Sequence, residues 1–327
     1  MEKSKILIDL FGADDVDAVI HGVALALNRV SEVDLVVTGD KAYIEEKLSM
    51  EEFDKSRLEI IDAPEVVTND DSPVSAVWKK RNSSLVKGVS ALNDRDDIKA
   101  MITAGSTGAL IASAVLILGR ANPEHKPTLI TLLPNEKGGF TCIADCGANV
   151  DCPPEQMAQF ARYGSRYMQK VYGIESPKVA LLSVGTEDKK GNKQSLATFD
   201  LLKESDLNFV GNMEGKTVLT GDADVIVCDG FSGNVLLKSV EGTAKVIAKK
   251  VIYYVMKHAG NADTSFVKSA LGDFMNHYDF NSLAGSVLIG IKKPIIKAHG
   301  SANSETVVNT VKQALEIVKS GFSLKDC

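Results

Sequence analysis

Residues 102–112 read ITAGSTGALIA. A β-branched end, Ile102-Thr103, runs into the turn Gly105-Ser106-Thr107-Gly108 and then into an apolar stretch that continues to Leu118. A strand, a glycine-rich loop and a helix opening from that loop form the repeating unit of a parallel sheet covered by helices. Glycine lets the backbone approach a ligand closely, and the N–H groups at a helix start attract anions. Gly105, Ser106, Thr107 and Gly108 are therefore the best single candidate for a phosphate cradle.

Working outward, the same unit recurs. Further strand-like runs lie at 5–10, 34–38, 58–62, 100–103, 128–133, 140–144, 178–184, 225–229 and 295–298. Several are apolar throughout, as strands covered on both faces must be. Four more strand ends lead into loops rich in Gly, Asn and Asp. They are 145–149 (with Asp145 and Asn149), 184–192 (with Lys190 and Asn192), 211–215 (with Asn212) and 229–234 (with Asp229, Gly233 and Asn234). Ligands of parallel sheets bind just outside the carboxyl ends of the strands, where these loops lie. The expected fold is a three-layer α/β/α arrangement with a mostly parallel sheet, in one domain spanning 1–327.

Helical stretches lie between the strands. In 153–171, Met157, Phe160, Ala161, Gly164, Met168 and Val171 share a stripe, with Asp151 as the expected cap and Pro153 and Pro154 in the first turn. The stretch 240–278 reads as two helices around a turn at 260–263, a helical hairpin attached to the α/β body.

With 327 residues, 44% hydrophobic and 24% charged, the chain has a soluble globular composition. Its net charge of −6 disfavours nucleic acid and anionic surfaces. The odd set of five cysteines contains no two-residue zinc-knuckle spacing and reads as reduced thiols. There is no signal-peptide pattern, and the longest apolar stretch, 109–119, is well short of the ~20 residues that cross a bilayer. A cytoplasmic protein is expected. The dinucleotide Gly-x-Gly-x-x-Gly, the P-loop and the Gly-x-Ser-x-Gly elbow are all missing, and the histidines show no metal spacing. No cofactor or metal is called for. His299, which follows a strand and precedes Gly300, either enters the site or makes a structural hydrogen bond.

Six ordered segments carry a specific likeness: ITAGSTGALIA (102–112), ADCGANVDCPPE (144–155), VGTEDKKGN (184–192), FVGNMEG (209–215), ADVIVCDGFSGNVLLK (223–238) and HGSAN (299–303). Together they resemble the PlsX-type phosphate acyltransferase family over almost the whole chain. The resemblance implies a fold similar to phosphate acetyltransferases and isocitrate dehydrogenases. It also implies a homodimer that makes acyl-phosphate from acyl-acyl carrier protein and inorganic phosphate, for phospholipid synthesis. Peripheral membrane contact through the hairpin, delivering product to a membrane-bound glycerol-3-phosphate acyltransferase, is implied as well. Three segments depart from the family pattern: 9–14 (DLFGAD), Thr186 in place of Glu, and 279–285 (DFNSLAG).

Such a reaction needs no triad. Phosphate is already an anion, and a thiolate, of pKa about 8.5, leaves without strong acid help. Positioning and oxyanion stabilisation remain as the protein's tasks. Lys190, Asn192 and Asp229 are the expected catalytic residues. Gly105, Ser106, Thr107, Gly108, Asp145, Asn149, Asn212, Gly233 and Asn234 are expected to bind substrate. An acidic carrier protein requires a local basic patch, either Lys79, Lys80, Arg81 and Lys87 or Lys245, Lys249 and Lys250. The rival readings are a phosphate acetyl- or butyryltransferase using acyl-coenzyme A, a related decarboxylating dehydrogenase, and a non-catalytic paralogue that binds carrier protein or acyl-phosphate.

Overall fold

The computed structural model describes residues 4–258, 265–267, 269, 272 and 285–322. The strands within them are β1 (Ser4–Asp9), β2 (Val33–Gly39), β3 (Leu58–Asp62), β4 (Ile98–Thr103), β5 (Thr128–Pro134) and β6 (Phe140–Ala144). They continue with β7 (Val179–Ser183), β8 (Phe209–Glu214), β9 (Val225–Val227), β10 (Ser286–Ile289) and β11 (Ile295–Lys297). All join one sheet in the order β3-β2-β1-β4-β11-β10-β5-β6-β9-β7-β8. Pairing is antiparallel only where β10 meets β11 and β5, and where β5 meets β6. The sheet is therefore mostly parallel.

The helices are α1 (Val16–Arg29), α2 (Lys41–Leu48), α3 (Pro73–Lys79), α4 (Ser84–Asp94), α5 (Thr107–Ser113), α6 (Pro154–Tyr172), α7 (Lys193–Lys203), α8 (Gly230–His258) and α9 (Ser304–Lys319). The apolar strands divide their side chains between two cores by simple alternation. Ile6, Ile8, Leu35 and Val37 meet Val19, Val23 and Leu27 of α1 and Val307 and Val311 of α9. Leu7, Val36 and Met101 turn to the other face, against Leu85, Val89 and Leu92 of α4 and Leu110 of α5.

Several local expectations change. β10 went unrecognised, because four residues before a glycine carry too little pattern. β8 runs through Gly211 and Asn212, which therefore lie inside a strand and not in a loop after it. Helix α6 buries Met157, Phe160, Ala161, Gly164 and Met168 as expected, and Tyr163 and Tyr167 besides. Its cap is Pro153, with no side-chain bond, so Asp151 does not cap it. The helix expected from residue 240 begins at Gly230, where the Asp229 carboxylate accepts the Ser232 N–H at 2.7 Å. The expected turn at 260–263 lies outside the described residues. Of the second hairpin helix, residues 265–267, 269 and 272 are helical and the rest also lies outside the described residues.

Val246, Ile247, Ile252, Tyr253 and Tyr254 of α8 are exposed. Among the described residues no helix is long and apolar enough to cross a membrane. Cys142, Cys146, Cys152 and Cys228 are buried free thiols, and Cys327 lies outside the described residues. Burial pushes the thiols of Cys146 and Cys152 up to about 12.

Candidate active site

The loops after β4 and β6, the first turns of α8 and the end of β11 close around a cleft of about 350 Å³. Thr107, Gly147, Asn234, Lys238, Lys297 and His299 are among its lining residues. The β4 loop is held from below. Gly105 donates its N–H to Thr103 Oγ1 at 3.0 Å, and that hydroxyl donates to the buried Asp9 carboxylate at 2.8 Å. A Cβ on Gly12 would fall 2.4 Å from the Gly105 Cα, so the first and fourth strand-end loops touch backbone to backbone. Gly105 thus allows close approach but does not offer its N–H to a ligand. Ser106 and Thr107 open α5, and Gly108 packs against Pro73.

Asp145 organises the second loop. Its carboxylate accepts the N–H groups of Leu129, Gly147, Ala148 and Asn149 and the Asn149 side-chain amide, at 2.7–3.2 Å. Burial raises the Asp145 pKa against the pull of these donors. The Asn149 side-chain amide also donates to Pro127 O at 2.8 Å, and the Asn149 backbone carbonyl accepts the Gly230 N–H at 2.7 Å. Asn149 therefore locks the loop to the start of α8, with both amide hydrogens engaged inside the protein. A Cβ on Gly233 would lie 1.8 Å from Asp145 O, so only glycine lets α8 sit this close. That approach brings Asn234 into the cleft beside Gly147, whose φ is +122°.

The remaining expected residues lie on the other side of α8. Asn192 and Asp229 line a second pocket of about 500 Å³, with Met157, Leu182, Phe231 and Val235 among its walls. Asn192 caps α7 by accepting the Ser195 N–H at 2.8 Å. Asn212 donates to Glu187 O at 2.9 Å and ties the 184–192 loop to β8. Lys190 is exposed on that loop and lines neither cavity. The sequence-expected residues thus divide, with Thr107 and Asn234 in the polar cleft and Asn192 and Asp229 in the apolar pocket.

Two lysines were missed. Lys238 donates to Glu241 Oε2 at 2.8 Å and bonds His299 Nε2 at 3.1 Å, while His299 Nδ1 bonds Ser301 Oγ at 3.0 Å. An ammonium can only donate, so Nε2 accepts and the imidazole proton sits on Nδ1. Burial and the neighbouring Lys238 hold the His299 pKa below its usual value. Lys297 donates to Ala104 O at 3.1 Å and to Ala298 O. Burial, with Lys238 nearby, lowers its pKa to about 8. His299 was weighed from sequence, and the structure places it in the cleft.

Comparison with known proteins fits this geometry. Residues 4–325 match the fatty acid synthesis protein family. A phosphate acyltransferase of Clostridioides difficile is 38% identical over 318 residues, covering 96% of this chain and 93% of that protein. The chain belongs to the phosphate acyltransferase family. Another phosphate acyltransferase, from Bacillus licheniformis, is 40% identical over 322 residues, covering 98% of this chain and 96% of its own. The fold is shared more widely. A phosphotransacetylase from Streptococcus pyogenes superposes with a TM-score of 0.61 at 17% identity, over 96% of this chain and 94% of its own. A 4-hydroxythreonine-4-phosphate dehydrogenase from Klebsiella pneumoniae does so with 0.57 at 13% identity, over 96% and 99%. As a phosphate acyltransferase the chain is an enzyme of acyl-group transfer.

Proposed function

We propose that this enzyme transfers a fatty acyl group from the thioester of acyl-acyl carrier protein to inorganic phosphate. The observation that carries the reading is the convergence of Thr107, Gly147 and Asn234, each following a different strand, on one polar cleft beside an apolar pocket. A phosphate oxygen attacks the thioester carbonyl, the C–S bond breaks, and the proton carried by hydrogen phosphate ends on the departing thiolate. Ser106, Thr107 and Gly108 present donors to phosphate, and Asn234 orients the carbonyl. Lys190 lines neither cavity and neutralises the oxyanion only once its loop closes toward bound substrate. Asp145, Asn149 and Gly233 hold the frame, and the acyl chain lies along Met157, Leu182, Phe231 and Val235.

Features of the surface support a choice among partners. Lys80 is paired with Asp71 at 2.7 Å and Lys87 donates to Asp62 O, so the first basic patch is partly engaged within the chain. Lys245, Lys249 and Lys250 on α8 are exposed, which favours α8 as the docking face for an acidic carrier protein. The apolar side chains exposed on the same helix support a homodimer contact, and the segment 253–266 is the candidate for peripheral membrane contact. The test is acyl-phosphate formation from long-chain acyl-acyl carrier protein, trapped as hydroxamate. Phosphate-dependent product with carrier protein is expected; product only from acyl-coenzyme A would replace the donor, and none from either would point to a binding paralogue.

A further inference from the structure

We propose that Lys238 and Lys297 are the charge partners of the transferred phosphate in the polar cleft, with Glu241 and His299 positioning Lys238 for that task. The inference rests on the phosphate-acyl transfer reading and adds the cations that the glycine loop by itself lacks.

Lys238 is fixed from two elements at once. Glu241 lies one turn further along α8, and His299 comes from the end of β11, so the ammonium has two of its three N–H bonds engaged and the third available. Asn234, Lys238 and Glu241 recur at helical spacing, which places them on one face of α8 above the cleft. Lys297 reaches the same cleft from the sheet. Its ammonium rests on the backbone carbonyls of Ala104 and Ala298, and among the described residues it forms no ion pair with a carboxylate. Neutral dipoles orient a buried cation without cancelling its charge. Ala104 is the residue before Gly105, so Lys297 is anchored to the loop expected to cradle phosphate.

Among the described residues the lining carries Lys238 and Lys297 against a single carboxylate, Glu241, and the lowered pKa of His299 keeps it from adding a lasting third positive charge. Asp9 and Asp14 act on Lys297 from outside the lining. An unbalanced pair of ammoniums, a hydroxyl from Thr107 and an amide from Asn234 make a seat for a compact dianion. An uncharged acyl chain has no use for them, and the apolar pocket across α8 serves it better.

The experiment measures KM for inorganic phosphate and for the acyl donor separately, in wild type, Lys238→Gln, Lys238→Arg and Lys297→Met. Losing a charge-assisted bond to phosphate should raise its KM at least about tenfold in Lys238→Gln. The acyl-donor KM should stay within about twofold, and Lys238→Arg should recover much of the loss. Titration of inorganic phosphate into each protein without acyl donor, by calorimetry, should show the same order. Lys238 is half exposed, so Lys238→Gln is expected to fold even if Lys297→Met does not. His299→Gln, which keeps an acceptor for Lys238, should disturb phosphate KM less than His299→Leu. Wild type that makes no acyl-phosphate would refute the reaction itself. Active, folded Lys238→Gln with unchanged phosphate KM and affinity would refute only the cation seat.

Discussion

Lys297 makes its burial measurable. Its pKa lies near 8 in the folded chain and at 10.5 when exposed, so between those values the unfolded chain binds more protons. Stability contributed at this site therefore rises as pH climbs from 8 towards 10.5, by up to roughly 3 kcal/mol. Lys297→Met has no such dependence. The stability difference between variant and wild type, from urea unfolding, should favour the variant more at pH 7 than at pH 10. A difference independent of pH would mean that the ammonium is well solvated. Lys190 sits at the opposite extreme, exposed on its loop with its N–H bonded to Glu187 O. Lys190→Ala should leave the melting temperature within about a degree, as surface changes do, while turnover falls at least about tenfold. Unchanged turnover would remove Lys190 from the mechanism.

At the scale of elements, two expected site residues are also helix caps. Asn192 caps α7 and Asp229 caps α8. Asn192→Ala should lose about 1 kcal/mol of stability, and Asn192→Ser should restore it. If Ser restores turnover too, Asn192 acts through α7; if turnover stays low, its amide acts on substrate. Gly233→Ala should be the most damaging small change at the site, because the added methyl cannot coexist with Asp145 O. A loss of about 1–3 kcal/mol or more, read by thermal melting, is expected. Much of this level was legible in the sequence: the strand ends, the glycine loops and the stripe of α6 all follow from local pattern. Lys238 and Lys297 were not, for two physical reasons. The start of α8 was read at 240, which removed Asn234 and Lys238 from a common helical face. Lys297 lies in the strand-like run 295–298, where local pattern gives it no role, and only the crossover that sets β11 beside β4 brings it under Ala104. Asn149 shows the converse. Its place in a glycine-rich loop suggested a ligand contact, whereas folding engages both amide hydrogens within the protein.

For the whole molecule, one sheet carries both cavities, and α8 runs between them with charged and apolar side chains exposed beyond. A net charge of −6 means that an acidic partner must be drawn by a local feature. Replacing Lys245, Lys249 and Lys250 together by Glu should raise the KM for acyl-acyl carrier protein and flatten its salt dependence. The phosphate KM should not move. Equal carrier-protein kinetics for this variant and wild type would place docking elsewhere. The buried thiols have a further chemical consequence. With the proposed thioester donor, the enzyme must keep its own sulfur from competing with phosphate, since any accessible thiolate would capture the acyl group by thioester exchange. Cys146 lies in the wall of the polar cleft, yet burial holds it protonated, and the thiol form is a poor nucleophile. The acyl group can therefore sit beside cysteine sulfur without being diverted into a dead-end acyl-enzyme.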